Sequence, residues 1–107
     1  MTRTIIAASL LMLLPACGAG VAGLNPGAER VEWHSQRPEG NLQMVGDLQC
    51  QRGQNFRDPG SNVTDCRNTL RNEAAAMGAE VLVVSTEQIG MGDCANCVLM
   101  SGTAYRR

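Results

Sequence analysis

Four cysteines in the polar part of the chain, Cys50, Cys66, Cys94 and Cys97, constrain its fold more than any other feature. An even number of cysteines in a small exported domain is typical of a disulfide framework. Aromatic residues make up only 3% of the sequence, so large rings add little to the core. We therefore expect two structural disulfides. Of the three possible connectivities, we favour Cys50–Cys94 with Cys66–Cys97. These long-range bonds would join a strand, a helix and the C-terminal hairpin.

The first residues have the pattern of an export signal that ends in a lipidation site. Arg3 is followed by the apolar run 5–14, which is too short to span a membrane, since a span needs about 20 apolar residues. The sequence Leu14-Pro15-Ala16-Cys17 resembles the bacterial lipobox, in which the chain is cut before the cysteine and the cysteine is acylated. We expect residues 1–16 to be removed and Cys17 to carry a covalent lipid such as palmitate.

Cleavage before Cys17 leaves about 90 residues, which is the size of one small domain. Residues 17–28 are rich in Gly and Ala, and this composition predicts a flexible tether behind the lipidated cysteine. Residues 29–107 are then the folded domain. Because Gly18 and not an acidic residue follows the cysteine, the lipobox resemblance implies sorting to the outer membrane, facing the periplasm.

The charged residues show no concentration on one part of the chain. All nine basic residues are arginines, and ten acidic residues are spread among them, for a formal net charge of −1. A nucleic-acid-binding domain normally carries a basic face, so we expect no nucleic-acid partner. The membrane, through the lipid, and a periplasmic or outer-membrane protein remain as expected partners.

Hydrophobic periodicity predicts an α+β domain in the order β-β-α-β-β, with one helix packed on a small sheet. The helix is expected over 62–77, capped by Ser61 or Asn62 and ended by Gly78. Its apolar stripe consists of Val63, Cys66, Leu70, Ala74 and Met77. The strands are expected at 29–34, 42–51, 80–87 and about 98–105, with a turn over 90–93 before Cys94.

Two alternatives to structural disulfides stay open. Met91, Cys94, Cys97 and Met100 form a run of sulfur residues spaced by three, and soft ligands of this kind favour copper(I), while Cys94 and Cys97 also have the close spacing of zinc ligands. Cys94-x-x-Cys97 also has the spacing of a thiol-disulfide oxidoreductase pair, although a β-like run follows it where such enzymes have a helix.

The other polar residues give no sign of catalysis. His34 is the only histidine and is interpreted as a surface or packing residue. Arg67, Asn68 and Arg71 lie off the apolar stripe of the helix and are interpreted as a solvated polar face. No nucleophile motif and no placed pair of carboxylates is recognisable, so we expect no enzyme activity and no cofactor other than the lipid.

The segment Asp65-Cys66-Arg67-Asn68-Thr69-Leu70-Arg71-Asn72-Glu73-Ala74-Ala75-Ala76-Met77-Gly78-Ala79-Glu80-Val81 resembles the core of small envelope lipoproteins grouped as domain of unknown function 4156. Val45-Gly46 and Gly102-Thr103-Ala104-Tyr105 match as well, so the resemblance covers about 42–105. In architecture the chain also distantly resembles the outer-membrane lipoproteins that sense envelope stress for the Rcs phosphorelay. Together these features lead us to expect a non-enzymatic, anchored module for protein binding or stress sensing.

Overall fold

The computed structural model of the 107-residue chain describes residues 21–53 and 58–107, so the predicted signal peptide and Cys17 lie outside it. Chain order is a short 3-10 turn Ala28–Arg30, strand β1 Glu32–His34, β2 Gln43–Arg52, helix α1 Pro59–Ala76, β3 Val81–Met91 and β4 Cys94–Arg106. This order and the α+β class confirm the prediction from the sequence. Within the described ranges, no helix is both long enough and apolar enough to cross a bilayer.

The four strands form one mixed sheet in the order β1-β3-β4-β2. Strand β1 runs parallel to β3, with Trp33 opposite Leu82, while β4 is antiparallel to both of its neighbours. The helix packs on one face of this sheet, against β4 and β2 above all. Because side chains alternate between the faces of a strand, Leu48 and Cys50 of β2 point toward α1, and Gln49 points to the opposite face.

The helix buries the stripe that its periodicity predicts. Cys66, Leu70 and Ala74 are completely buried in the core. Met77 is an exception, being 41% exposed, because α1 ends at Ala76 and Met77 is its C-cap. The remaining members of the core cluster come mostly from the strands and are Val31, Leu48, Cys50, Ala79, Leu82, Val84, Val98, Met100 and Ala104.

A Schellman motif ends the helix at the residue the sequence indicates. Gly78 has φ +79°, a conformation that costs glycine little and other residues more. Its N–H donates to the carbonyl of Ala75, and the N–H of Ala79 donates to the carbonyl of Ala74. These two bonds satisfy carbonyls at the end of the helix that have no partner within it.

The start of the helix differs from the prediction. The N-cap is Asp58, and Pro59 follows at the first helical position, where its missing N–H and fixed φ fit a helix start. Ser61 Oγ donates to Asp58 Oδ1 over 2.6 Å, and this bond lowers the pKa of the Asp58 carboxyl. Asn62 is therefore not a cap. It lies in the first turn and is completely buried.

Candidate functional site

The disulfides join Cys50 to Cys66 and Cys94 to Cys97, with Cα–Cα distances of 5.5 Å and 5.3 Å. The connectivity that we favoured from the sequence is therefore wrong. Cys50 lies opposite Met100 in the sheet, six residues along β4 from Cys94. That is about 20 Å along a strand, far beyond the reach of a disulfide. Cys66 lies on the buried stripe of α1, over β2, and is the partner that Cys50 meets.

The Cys94–Cys97 bond closes a bulge in the β3–β4 hairpin. Met91 pairs with Cys94 and Ile89 with Val98, so residues 95–97 of β4 lie opposite the single residue Gly90. The predicted turn over 90–93 is correspondingly shorter, because Gly90 and Met91 belong to β3. A bulge leaves backbone groups without ladder partners, and other groups must satisfy them.

The first turn of α1 packs against this bulge and provides it with a hydrogen-bond donor. The side-chain Nδ2 of Asn62 donates to the carbonyl of Asn96 over 2.8 Å. Gly53 packs so closely that an added Cβ would collide with the sulfur and the Cα of Cys97. The local disulfide is thus part of a packed corner in which helix, β2 and hairpin meet.

The structure does not gather the run of sulfur residues into one ligand set. Cys94 and Cys97 are bonded to each other, so neither is present as a thiolate. Met100 is completely buried in the core, and Met91 lies half-buried at the hairpin turn. Among residues 21–53 and 58–107, no three His, Cys, Asp or Glu side chains converge on a possible metal position. The Cys94–Cys97 pair begins a strand, as the sequence indicates, rather than a helix.

The segment that composition predicts to be a flexible tether is bound to the helix at residues 22–25. We call residues 21–25 the strap. The backbone N–H of Ala22 donates to Asp65 Oδ1 over 3.1 Å, and Asn68 Nδ2 donates to the Ala22 carbonyl over 2.7 Å. Both backbone groups of Ala22, its N–H and its carbonyl, are thus hydrogen-bonded to side chains of the helix.

Further along the helix, Asn72 holds the strap in the same way. Its Nδ2 donates to the carbonyl of Gly23, and its Oδ1 accepts the N–H of Asn25, both over 2.8 Å. Asp65, Asn68 and Asn72 recur at spacings of three and four and therefore form one polar row on α1. We call this row the clasp. It binds backbone groups, so it holds an extended segment without requiring particular side chains.

Asp65 connects the clasp to the sheet. It is buried, and its Oδ2 lies 3.0 Å from Arg52 Nε in an ion pair between α1 and β2. Arg52 Nη2 also donates to Thr69 Oγ1 over 3.3 Å. A buried carboxylate is stable only when it is paired and hydrogen-bonded, and here both oxygens have partners. The N–H of Ala22 in the strap is therefore one of the donors that stabilise the buried carboxylate of Asp65.

A cavity of about 410 Å³ lies between α1 and the edge strand β1. Its lining consists of Trp33, Thr64, Arg67, Asn68 and Arg71. We call it the Trp33 pocket. The guanidinium carbons of Arg71 and Arg67 lie 5.5 Å and 5.8 Å from the centre of the indole ring, which is cation–π distance.

The two arginines of the pocket differ in their partners. Arg67 Nη2 donates to Glu87 Oε2 over 2.6 Å. Arg71 has no ion pair and no hydrogen bond with any residue that the structure describes, and its Nε is enclosed without an acceptor. The interpretation of Arg67, Asn68 and Arg71 as a solvated face is thus incomplete. Sequence reasoning missed Trp33 because only the parallel pairing of β1 with β3 brings it beneath these arginines.

His34 takes part in a surface ion-pair cluster on the other face of the sheet. Its Nε2 lies 3.0 Å from Glu32 Oε1, and both terminal nitrogens of Arg107 donate to the Glu32 carboxylate over 2.7 Å and 3.0 Å. The hydrogen bonds from Arg107 first, and then from His34, lower the pKa of Glu32 to about 2. The cluster connects β1 to Arg107, the residue that follows β4. His34 thus helps to hold the surface of the sheet together, in agreement with its interpretation as a surface or packing residue.

Comparison with known protein families identifies one match. The family model described as domain of unknown function DUF4156 matches residues 22–106. No curated protein and no solved structure matches the chain. The matched region begins at Ala22, the first strap residue that the clasp binds, so residues 22–25 of the strap lie within the family domain. The match covers most of the sequence, and the chain therefore belongs to the DUF4156 family.

Proposed function

We propose that this protein is a non-enzymatic lipoprotein of the bacterial envelope, anchored through Cys17 at the outer membrane and facing the periplasm. Its domain serves there as a binding or stress-sensing module for a protein partner. The observation that carries the proposal is the clasp, since a segment that only linked lipid to domain would need no bonds to α1. Four hydrogen bonds instead connect strap and helix.

The clasp limits the distance between domain and lipid. Cys17 precedes Ala22 by five residues, which span no more than about 18 Å when fully extended. The helix side of the domain is thereby held near the bilayer. The opposite face of the sheet is left available to a partner in the periplasm.

That open face is polar and grooved. A cleft of about 460 Å³ runs along β2 and β4, and Gln49 pairs there with Ser101 and Asp47 with Thr103. Thr103 Oγ1 donates to Asp47 Oδ1 over 2.9 Å. Uncharged hydroxyl and amide groups suit the polar contacts of a transient protein interface.

The non-enzymatic part of the proposal rests on the sequence, in which we find no catalytic arrangement.

Intact mass of the membrane-extracted protein, before and after reduction, tests the anchor. We expect the mass of a chain that begins at Cys17 and carries acyl groups, and a gain of four hydrogens on reduction of two disulfides. Cys17→Ser is the control and should lose the lipid. An unacylated protein with reduced cysteines, recovered from the cytosol, would contradict the proposal.

Photo-crosslinking in cells tests the partner. A photoreactive residue in place of Gln49 should give a discrete crosslinked product with an envelope protein. The same residue in place of exposed Glu73, on the helix side, serves as the matched control. Equal yields from the two positions would refute the sheet face as the partner surface.

A further inference from the structure

We propose that the Trp33 pocket binds the phosphate group of an anionic membrane lipid, so that the anchored domain docks on the bilayer through α1. This inference rests on the lipid anchor proposed above. It assigns a ligand class to a pocket that faces away from the open sheet surface.

Arg71 supplies the group that needs a ligand. Its side chain lines the pocket, it has no acid among the described residues, and its enclosed Nε has no acceptor. The Nε is closed to solvent, so a ligand in the pocket would meet Arg71 at the terminal nitrogens of its guanidinium, which make no hydrogen bond to any described residue. A phosphate oxygen entering the pocket would accept from the guanidinium. Arginine is well suited to this, because its planar fork matches phosphate oxygens at two points.

The local charge fits a phosphodiester. Arg67 is neutralised by Glu87 at 2.6 Å, which leaves Arg71 as one unpaired positive charge beside the cavity. A phosphodiester carries one negative charge and balances it. The Thr64 hydroxyl and the Asn68 side chain also line the cavity, whose volume is in the usual range for small-ligand sites. The cavity thus has room for a lipid headgroup and not only for its phosphate.

The position of the pocket selects a membrane lipid as the source of the phosphate. Asn68 lines the pocket and also holds Ala22 of the strap, so pocket and strap share a side chain. A lipid on Cys17 therefore keeps the pocket within about 20 Å of the bilayer. Trp33 fits this location, since tryptophan is enriched at the level of the headgroups, with its apolar ring inward and its N–H in a polar zone.

Trp33 is the only tryptophan in the chain, so its fluorescence reports on this pocket alone. The experiment uses the lipidated full chain, verified by mass, in vesicles of phosphatidylcholine or of phosphatidylcholine mixed with phosphatidylglycerol. Quenching by acrylamide measures exposure of the indole. We expect Trp33 to be protected in the anionic vesicles and less so in the zwitterionic ones. A third sample adds soluble glycerol phosphate to the zwitterionic vesicles and should remain unprotected.

Three variants test the assignment. Arg71→Gln should weaken docking about fivefold, the usual effect of one arginine near an anionic surface. Glu87→Gln removes the competing acid from Arg67 and should strengthen docking, a result that misfolding cannot produce. Arg106→Gln, at an exposed arginine on the far end of β4, is the matched control and should behave as the wild type.

The outcomes separate this proposal from the proposed anchor. A missing acyl mass would refute the anchor before any vesicle is prepared. In lipidated protein, equal quenching in both kinds of vesicle would overturn the phosphate site. Protection by soluble glycerol phosphate alone would overturn the membrane lipid as its ligand, and an unchanged Arg71→Gln would overturn Arg71 as the binding group.

Discussion

The two sides of α1 attach the helix to its neighbours by different physical means. The side facing the sheet is apolar, and Cys66, Leu70 and Ala74 on it are completely buried. The outer side carries the clasp of Asp65, Asn68 and Asn72 and holds the strap by hydrogen bonds to its backbone. The apolar residues of the strap take little part in this, since Val21 is 38% exposed and Leu24 41% exposed.

This difference predicts two levels of stability within one small domain. Burial of apolar area is the main stabilising contribution to folding, whereas a single hydrogen bond contributes about 1 kcal/mol after exchange with water. The sheet side should therefore unfold only with the whole domain. The strap should detach at a much lower cost, in a local opening that leaves the core intact.

The largest effect is expected from Leu70→Ala, on the sheet side. The substitution leaves a cavity where the side chain is completely buried, and the free energy of unfolding should fall by about 4 kcal/mol. Urea denaturation measures this loss. Glu73→Ala, at an exposed position on the same helix, is the control and should change the unfolding free energy little. Similar losses for both variants would refute the contrast between the sides.

Removal of the Cys50–Cys66 bond should cost slightly less. The bond spans 16 residues and joins α1 to β2, and closure of such a loop contributes about 3 kcal/mol. The double variant Cys50→Ala/Cys66→Ala should lose this amount in urea denaturation. Cys94→Ala/Cys97→Ala is the matched comparison. Its bond spans only 3 residues, so its loss should be clearly smaller. Equal losses would indicate that the hairpin corner, too, limits global stability.

Asn72→Ala tests the outer side and should have a smaller, local effect. It removes both hydrogen bonds that Asn72 makes to the strap, to Gly23 and Asn25. We expect the Asn25 amide to exchange with solvent about 30-fold faster, because two hydrogen bonds of about 1 kcal/mol each are lost. Hydrogen exchange measured by NMR reports this amide together with core amides such as that of Leu82, which should be unaffected. Faster exchange throughout the core would show that the strap unfolds with the domain.

The smallest effect concerns the Glu32 cluster. The Glu32 pKa is lowered from 4.5 to about 2, so its ion pairs stabilise the fold at pH values above 4.5. That contribution is lost as the pH falls from 4.5 through about 2, because the carboxyl becomes protonated. The melting temperature of Glu32→Gln should lie slightly below that of the wild type at neutral pH and converge with it near pH 2. A gap that stays constant with pH would exclude this ion pair as its cause.

Local sequence patterns predicted the elements of the fold because each pattern depends on neighbouring residues. The spacing of Cys66, Leu70 and Ala74 indicated a buried helix face, and Gly78 indicated its end, where the structure has a Schellman motif. Alternation in residues 42–51 indicated β2 and put Cys50 on the inward face. The order β-β-α-β-β followed from these patterns alone.

The sequence by itself thus determined the type and order of the elements and the use of four cysteines in pairs. Tertiary structure decided which cysteines meet, because the register of β2 on β4 places Cys50 opposite Met100 and far from Cys94. It also decided that the strap belongs to the domain and that Trp33 lies under Arg67 and Arg71. The contacts of the strap with α1 and of Trp33 with the two arginines join residues more than 30 positions apart, so the periodicity of neighbouring residues gives no sign of them.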